Sequence, residues 1–233
     1  MLLPAIAEMA DLSFSRYGIS IVNVGDVGLY HYARIFQRSD KNDAIPIPVA
    51  CLTDRDIVPN VATYVSKPKT GKRFEGDYTS TEAAEAVRRK VLRVETDDDP
   101  AVKVFVSNFW TLEFDLAMTG LAELMFVAIA LAKSQKSRGE RLTEEDEETV
   151  TESAKTAWPS QKATYPNPTD LAAVIYQPLY EKDASKAVTA EYAAKLIRSG
   201  QYGVGQALLD ALPPYLKAAL RHLTRTADPL GGA

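Results

Sequence analysis

Thr53-Asp54-Arg55-Asp56 is the stretch of this chain best suited to chemistry. It closes residues 49–53, an apolar, β-branched run that reads as a buried strand. Side chains alternate across a strand, so Asp54 and Asp56 face the same way if extended geometry persists past Thr53. Ligands of open α/β sheets bind beyond the carboxyl ends of the strands. Two carboxylates placed there repel each other, and a hard divalent cation with oxygen ligands relieves that repulsion. Mg²⁺ characteristically takes one or two carboxylates together with substrate phosphates. The same acids could instead cap the following turn, and an Asp-x-Asp pattern alone does not decide between the two.

A second acidic segment, Trp110-Thr111-Leu112-Glu113-Phe114-Asp115, follows another apolar run at 102–106. Thr111 is a plausible helix N-cap, which puts Glu113 in a first turn beside the same sheet edge. Glu113 is thus a third candidate metal ligand. A first-turn acid can equally serve only the helix dipole, and Asp115 fits that role better than a ligand's. Asn23-Val24-Gly25-Asp26-Val27-Gly28 is a glycine turn suited to anion contact, without the spacing of a dinucleotide site. Lys67, Lys69, Lys72 and Arg73 could grip phosphates, although a solvated loop explains them as well.

The elements that must position these groups alternate. Residues 2–9 read as a helix, 19–24 (ISIVNV) as a buried strand, 30–37 as a helix and 49–53 as a strand. Residues 60–79 are polar and read as a mobile surface loop. A helix over 81–94 and a third strand at 102–106 follow. Residues 116–132 are the longest apolar stretch and read as a buried helix too short to span a membrane. This is the order of a parallel α/β sheet flanked by helices. Beyond about residue 134 the pattern is helical only, with segments at 142–157, 170–180, 188–197 and 204–223, the last broken at Pro213-Pro214. The expected division is an α/β core over 1–133, carrying a loop-and-helix insertion at 57–100, and a mostly helical region over 134–233.

Bulk properties narrow the function classes. A formal charge of −4 argues against nucleic-acid binding by net charge, so contact with nucleic acid needs a local basic patch, metal ions or another domain. The single cysteine, Cys51, excludes an intrachain disulfide and suits a reducing cytoplasm. Two histidines, His31 and His222, share no motif, which disfavours a Ser-His-Asp hydrolase and, with one cysteine, a zinc site. No GxxxxGK[ST] phosphate loop occurs, so no ATP site is expected in this chain.

Taken in order, four segments resemble the Toprim domain of the OLD (overcoming lysogenization defect) family of nucleases. They are LLPAIAE from Leu2, GISIVNVG from Gly18, LTDRD from Leu52 and TLEFDLA from Thr111. Together they mark out about half of the chain. The resemblance implies a DNA endonuclease using Mg²⁺ or Mn²⁺, with two ions, one activating a water and the other steadying the leaving oxygen. It implies Asp54 and Asp56 as catalytic metal ligands and Glu113 as a further acidic ligand. It also implies an ATPase domain elsewhere in the full-length protein and a homodimer. The family's glutamate motif is expected just before Met1, and its lysine in a glycine-rich segment where this chain has Gln201, with Lys195 a weak substitute. Those departures keep open a non-catalytic, Toprim-like interaction module, or a primase or topoisomerase fragment.

Overall fold

Two short apolar strands, β1 (Val49–Thr53) and β2 (Val102–Val106), pair in parallel, with Cys51 opposite Val104 and Leu52 opposite Phe105. The computed structural model describes residues 2–25, 28–37, 47–94 and 101–225. Among these, β1 and β2 form the whole sheet. Strand alternation sends each face of it to a different core. Cys51, Val102 and Val104 join Ala33 of α3 (Leu29–Phe36) and Val94 in a small cluster. Leu52 and Phe105 lean on the main core, and α11 (Pro214–Thr224) lies against both strands. The chain is therefore α/β, a two-stranded parallel sheet flanked by helices.

The main core is helical. α6 (Ala122–Arg138) buries Leu124, Met125, Val127, Ala128, Ile129, Leu131 and Ala132, which leaves it apolar around most of its circumference, as a central helix must be. Around it stand α5 (Leu112–Ala117), α7 (Glu144–Thr164), α8 (Pro168–Tyr180) and α9 (Lys186–Arg198). α1 (Leu2–Met9) packs along α9 and touches α10 (Gly205–Ala211). The boundary expected at 133 falls inside α6. One continuous cluster of buried side chains runs from Leu2 to Leu220.

Several expected elements form for the reasons their sequences suggest. Thr79 caps α4 (Ser80–Leu92) by accepting from the Glu82 N–H, and Glu82 answers to the Thr79 N–H at 2.9 Å. Thr143 and Asp146 repeat that box at α7. Pro213-Pro214 separates α10 from α11 as expected. Pro178 sits in the last turn of α8 without ending it.

Three expectations are corrected. Residues 19–24 form no strand, and Ile21 and Val22 are exposed. Their composition suits a strand, but β-structure needs a neighbour to bond, and neither β1 nor β2 pairs with them. Residues 60–79 are not a loose loop. Ala62, Val65 and Phe74 are buried in the main core, Val58 bridges to Phe74, and a 3₁₀ turn follows at Glu75–Asp77. The apolar stretch at 116–132 is two helices. It breaks between α5 and α6 where Gly120 meets Ala211 so closely that an added Cβ would stand 3.0 Å from the Ala211 Cβ. Expectations for 38–46, 95–100, 226–233 and the Asp26-Val27 turn lie outside the described residues.

Phe114 is fully buried, with ring contacts to Trp110 at 5.8 Å and Tyr176 at 6.1 Å. Phe114→Ala should cost about 3–5 kcal/mol in urea unfolding, because the surrounding rings cannot collapse into the void. A loss below about 1 kcal/mol would show that the α5–α8 contact is not tightly packed.

Candidate metal centre at the strand tips

The tips of β1 and β2 are stitched together beyond the last ladder pair. The Ser107 N–H donates to the Thr53 carbonyl at 3.0 Å. The Arg55 N–H donates to the Ser107 Oγ at 2.7 Å and to the Trp110 carbonyl at 3.1 Å. The turn after β2 is gathered by one side chain. Asp115 is fully buried and accepts from the N–H groups of Asn108 at 2.5 Å, Phe109 at 3.1 Å and Trp110 at 3.1 Å. Burial pushes its carboxyl above the usual range, against the pull of those three donors. Thr111 then caps α5 through the Phe114 N–H at 3.3 Å.

That arrangement sets the first turn of α5 against the end of β1. Asp54 Oδ1 accepts the Leu112 N–H at 3.3 Å. The Asp54 carboxyl is raised to about 6, first by burial, then by the negative charge of Glu113, with a smaller push from Asp56. Lys186 and the Leu112 N–H oppose the shift. Asp54 and Glu113, 59 positions apart in the chain, are thus brought together, as the sequence suggested.

Asp56 is placed differently. The expectation that it faces the same way as Asp54 required extended backbone, and the strand ends at Thr53. Asp56 adopts φ 64°, a left-handed conformation that a non-glycine residue takes at some cost. Its carboxylate is mostly exposed and ion-paired with Lys90 of α4. The same ammonium donates to the Asp54 backbone carbonyl at 2.5 Å. Among the described residues no group of three or more His, Cys, Asp or Glu side chains converges as a metal site.

Sequence reading missed Lys186, at the start of α9. Its ammonium lies 3.1 Å from Glu113 Oε2 and 5.4 Å from the centre of the Tyr176 ring. It is 73 positions from its partner, so no local pattern announces it. Three of the other basic candidates are engaged elsewhere. Lys195 pairs with Glu147 at 2.5 Å, Lys72 with Glu82 at 2.6 Å, and Arg73 donates to the Ser66 carbonyl at 3.2 Å.

The donors at the tip are carboxylate oxygens, the ligand type that a hard divalent cation takes, and Asp54 and Glu113 are the pair whose charges interact most strongly there. A carboxyl raised to about 6 by burial, and further by a neighbouring carboxylate, is the electrostatic situation that such a cation relieves. The shift has a stability consequence. An acid whose folded pKa exceeds its unfolded value of 3.8 favours the folded state below that value, and the benefit is lost as pH rises through about 6. In metal-free buffer, Asp54→Asn should therefore be more stable than the parent at pH 7, by on the order of 2 kcal/mol. The gap should close on titration towards pH 4. A constant gap across that range in urea midpoints would show that Asp54 titrates normally.

Comparison with known proteins finds one family. The model of the family described as overcoming lysogenization defect protein-like, TOPRIM domain, matches residues 1–56. The match takes in α1, α3 and β1, and it ends on Asp56; Glu113 and Lys186 lie beyond it. Comparisons with curated proteins and with solved structures found no match. Over residues 1–56, about a quarter of its length, the chain is similar to the TOPRIM domain of that family.

Proposed function

We propose that this Toprim module is part of a DNA endonuclease that works with Mg²⁺ or Mn²⁺. The observation that carries the reading is the convergence of Asp54 and Glu113 at the sheet tip, with Asp54 raised to about 6. Toprim domains generally bind Mg²⁺, and the family points to DNA as substrate. Asp54 and Glu113 would hold the cation, and Asp56 would join them by exchanging the Lys90 ammonium for it. When bound, a divalent ion polarises a phosphodiester and makes hydroxide available from water near neutral pH.

The chain's own groups prepare that chemistry. The Leu112 N–H fixes one oxygen of Asp54, leaving the other for a ligand. Lys186 orients Glu113 and brings positive charge to a site where a phosphate must approach two carboxylates. The partners in this reading are DNA, an ATPase domain of a longer protein and a second copy of the chain. A non-catalytic module is the second reading. It is favoured by the way Lys90 and Lys186 already neutralise Asp56 and Glu113.

Relaxation of supercoiled plasmid in Mg²⁺ or Mn²⁺ separates the two. Asp54→Asn combined with Asp56→Asn should slow nicking by about 100-fold or more. Equal rates for parent and double variant would remove the nuclease reading. Lys90→Met should tighten Mn²⁺ binding by roughly 3- to 10-fold in calorimetry, since a cation beside the site is removed. Unchanged affinity would place Asp56 outside the ion's reach.

A further inference from the structure

Beside the carboxylates, on the far side of Lys186, lies a cleft of about 440 Å³ between the end of α8, the start of α9 and α6. Its lining includes Lys136, Lys182, Lys186, Ser185, Tyr176 and Tyr180. The volume falls in the range of sites that hold small organic ligands, about 300–1,000 Å³. The composition is unusual for a chain of net charge −4, with three amines around two aromatic rings. Tyr176 and Tyr180 stand one helical turn apart on α8, where i and i+4 side chains share a face. Both rings are braced from behind by Trp110, at 4.8 and 6.1 Å.

The side chains lining the cleft include three amines and no carboxylate. Lys186 is bound to Glu113 and holds its proton strongly, burial notwithstanding. The Lys136 ammonium donates to the Lys182 backbone carbonyl. The nearby acids are occupied outside the cleft lining, with Asp183 3.6 Å from Lys133 and Glu181 bonded to Gln177 at 2.8 Å. The N-terminus of α9 adds its partial positive charge, and its cap residue, Ser185, makes no side-chain cap bond. Amines for phosphate and aromatic faces for a base are how proteins seat single-stranded nucleic acid without sequence preference.

We propose that this cleft seats one nucleotide of the DNA strand next to the scissile phosphate, with its base on Tyr180 and its phosphate between Lys136, Lys182 and Lys186. The proposal rests on the nuclease reading for its register, because Lys186 joins the cleft to Glu113. Binding itself requires no metal, and that makes the two separable.

The test is fluorescence anisotropy of a labelled thymidine octanucleotide in EDTA, titrated with the whole chain at several salt concentrations, with thymidine monophosphate as competitor. Lys136→Ala with Lys182→Ala should weaken binding at least tenfold and flatten the salt slope by about 0.7, as expected when one single-strand phosphate is no longer neutralised. Tyr180→Leu should weaken it at least fivefold at unchanged salt slope, by loss of stacking. Lys136 and Lys182 are exposed and Tyr180 is partly buried against Trp110, so unchanged circular dichroism and urea midpoints will verify folding. Parent-like affinity and slope in the lysine double variant would overturn the proposal even if plasmid nicking persists. Binding of the monophosphate as tightly as the octamer would overturn the assignment to a strand. Lysine-dependent octamer binding without any metal-dependent nicking would uphold the cleft and remove the nuclease reading.

Discussion

The structure at the sheet tip depends on one carboxylate that holds no ligand. Asp115 draws in three consecutive backbone N–H groups from the turn after β2. Three donors left unpaired in a buried turn would each carry a desolvation cost of about 1–3 kcal/mol. With them satisfied, the turn has one shape, and that shape decides where α5 begins. The Leu112 N–H then reaches Asp54, and Glu113 is brought close enough to repel it. The most deeply buried acid of the 111–115 segment shapes the turn, while the less buried Glu113 is the one whose charge reaches Asp54.

Charge at the tip is balanced by the chain itself. Lys90 answers Asp56 and Lys186 answers Glu113, each from a different helix. These pairs are partly exposed, so they contribute little to stability. Their effect is on occupancy, because a cation arriving at the site must outcompete ammonium groups already there. The overall charge of −4 therefore says little about the partner. The relevant quantity is local, and on the Lys186 side the lining is basic, with Lys136 and Lys182 beside Lys186.

What was legible in the sequence is what is local. β1 and β2 announced themselves through short apolar runs, and α5 through Thr111 at its cap position. The placing of Asp54 at a strand end follows from composition alone. Asp56 was misread because one backbone angle, φ 64°, overrides strand alternation, and no residue type at that position betrays it. Residues 19–24 have the composition of a strand without a partner, and pairing is a property of the fold rather than of the segment. Lys186 and the Gly120–Ala211 approach depend on residues brought together over 73 and 91 positions. Such separations leave no periodic trace.

The two faces of the small sheet are secured unequally. On the Leu52 side, β1 backs onto a continuous core that extends through α6 to α1. On the Cys51 side, among the described residues, it meets a smaller cluster with α3, Val91 of α4 and Val94. Opening free energy follows buried contact, so α3 can peel away at low cost while the helical side stays shut. Such a breach would lay the Cys51 thiol bare to solvent-borne reagents and leave the Asp115 turn intact. The thin face is thus where the molecule yields first, and the acidic tip is anchored from the opposite, thicker side.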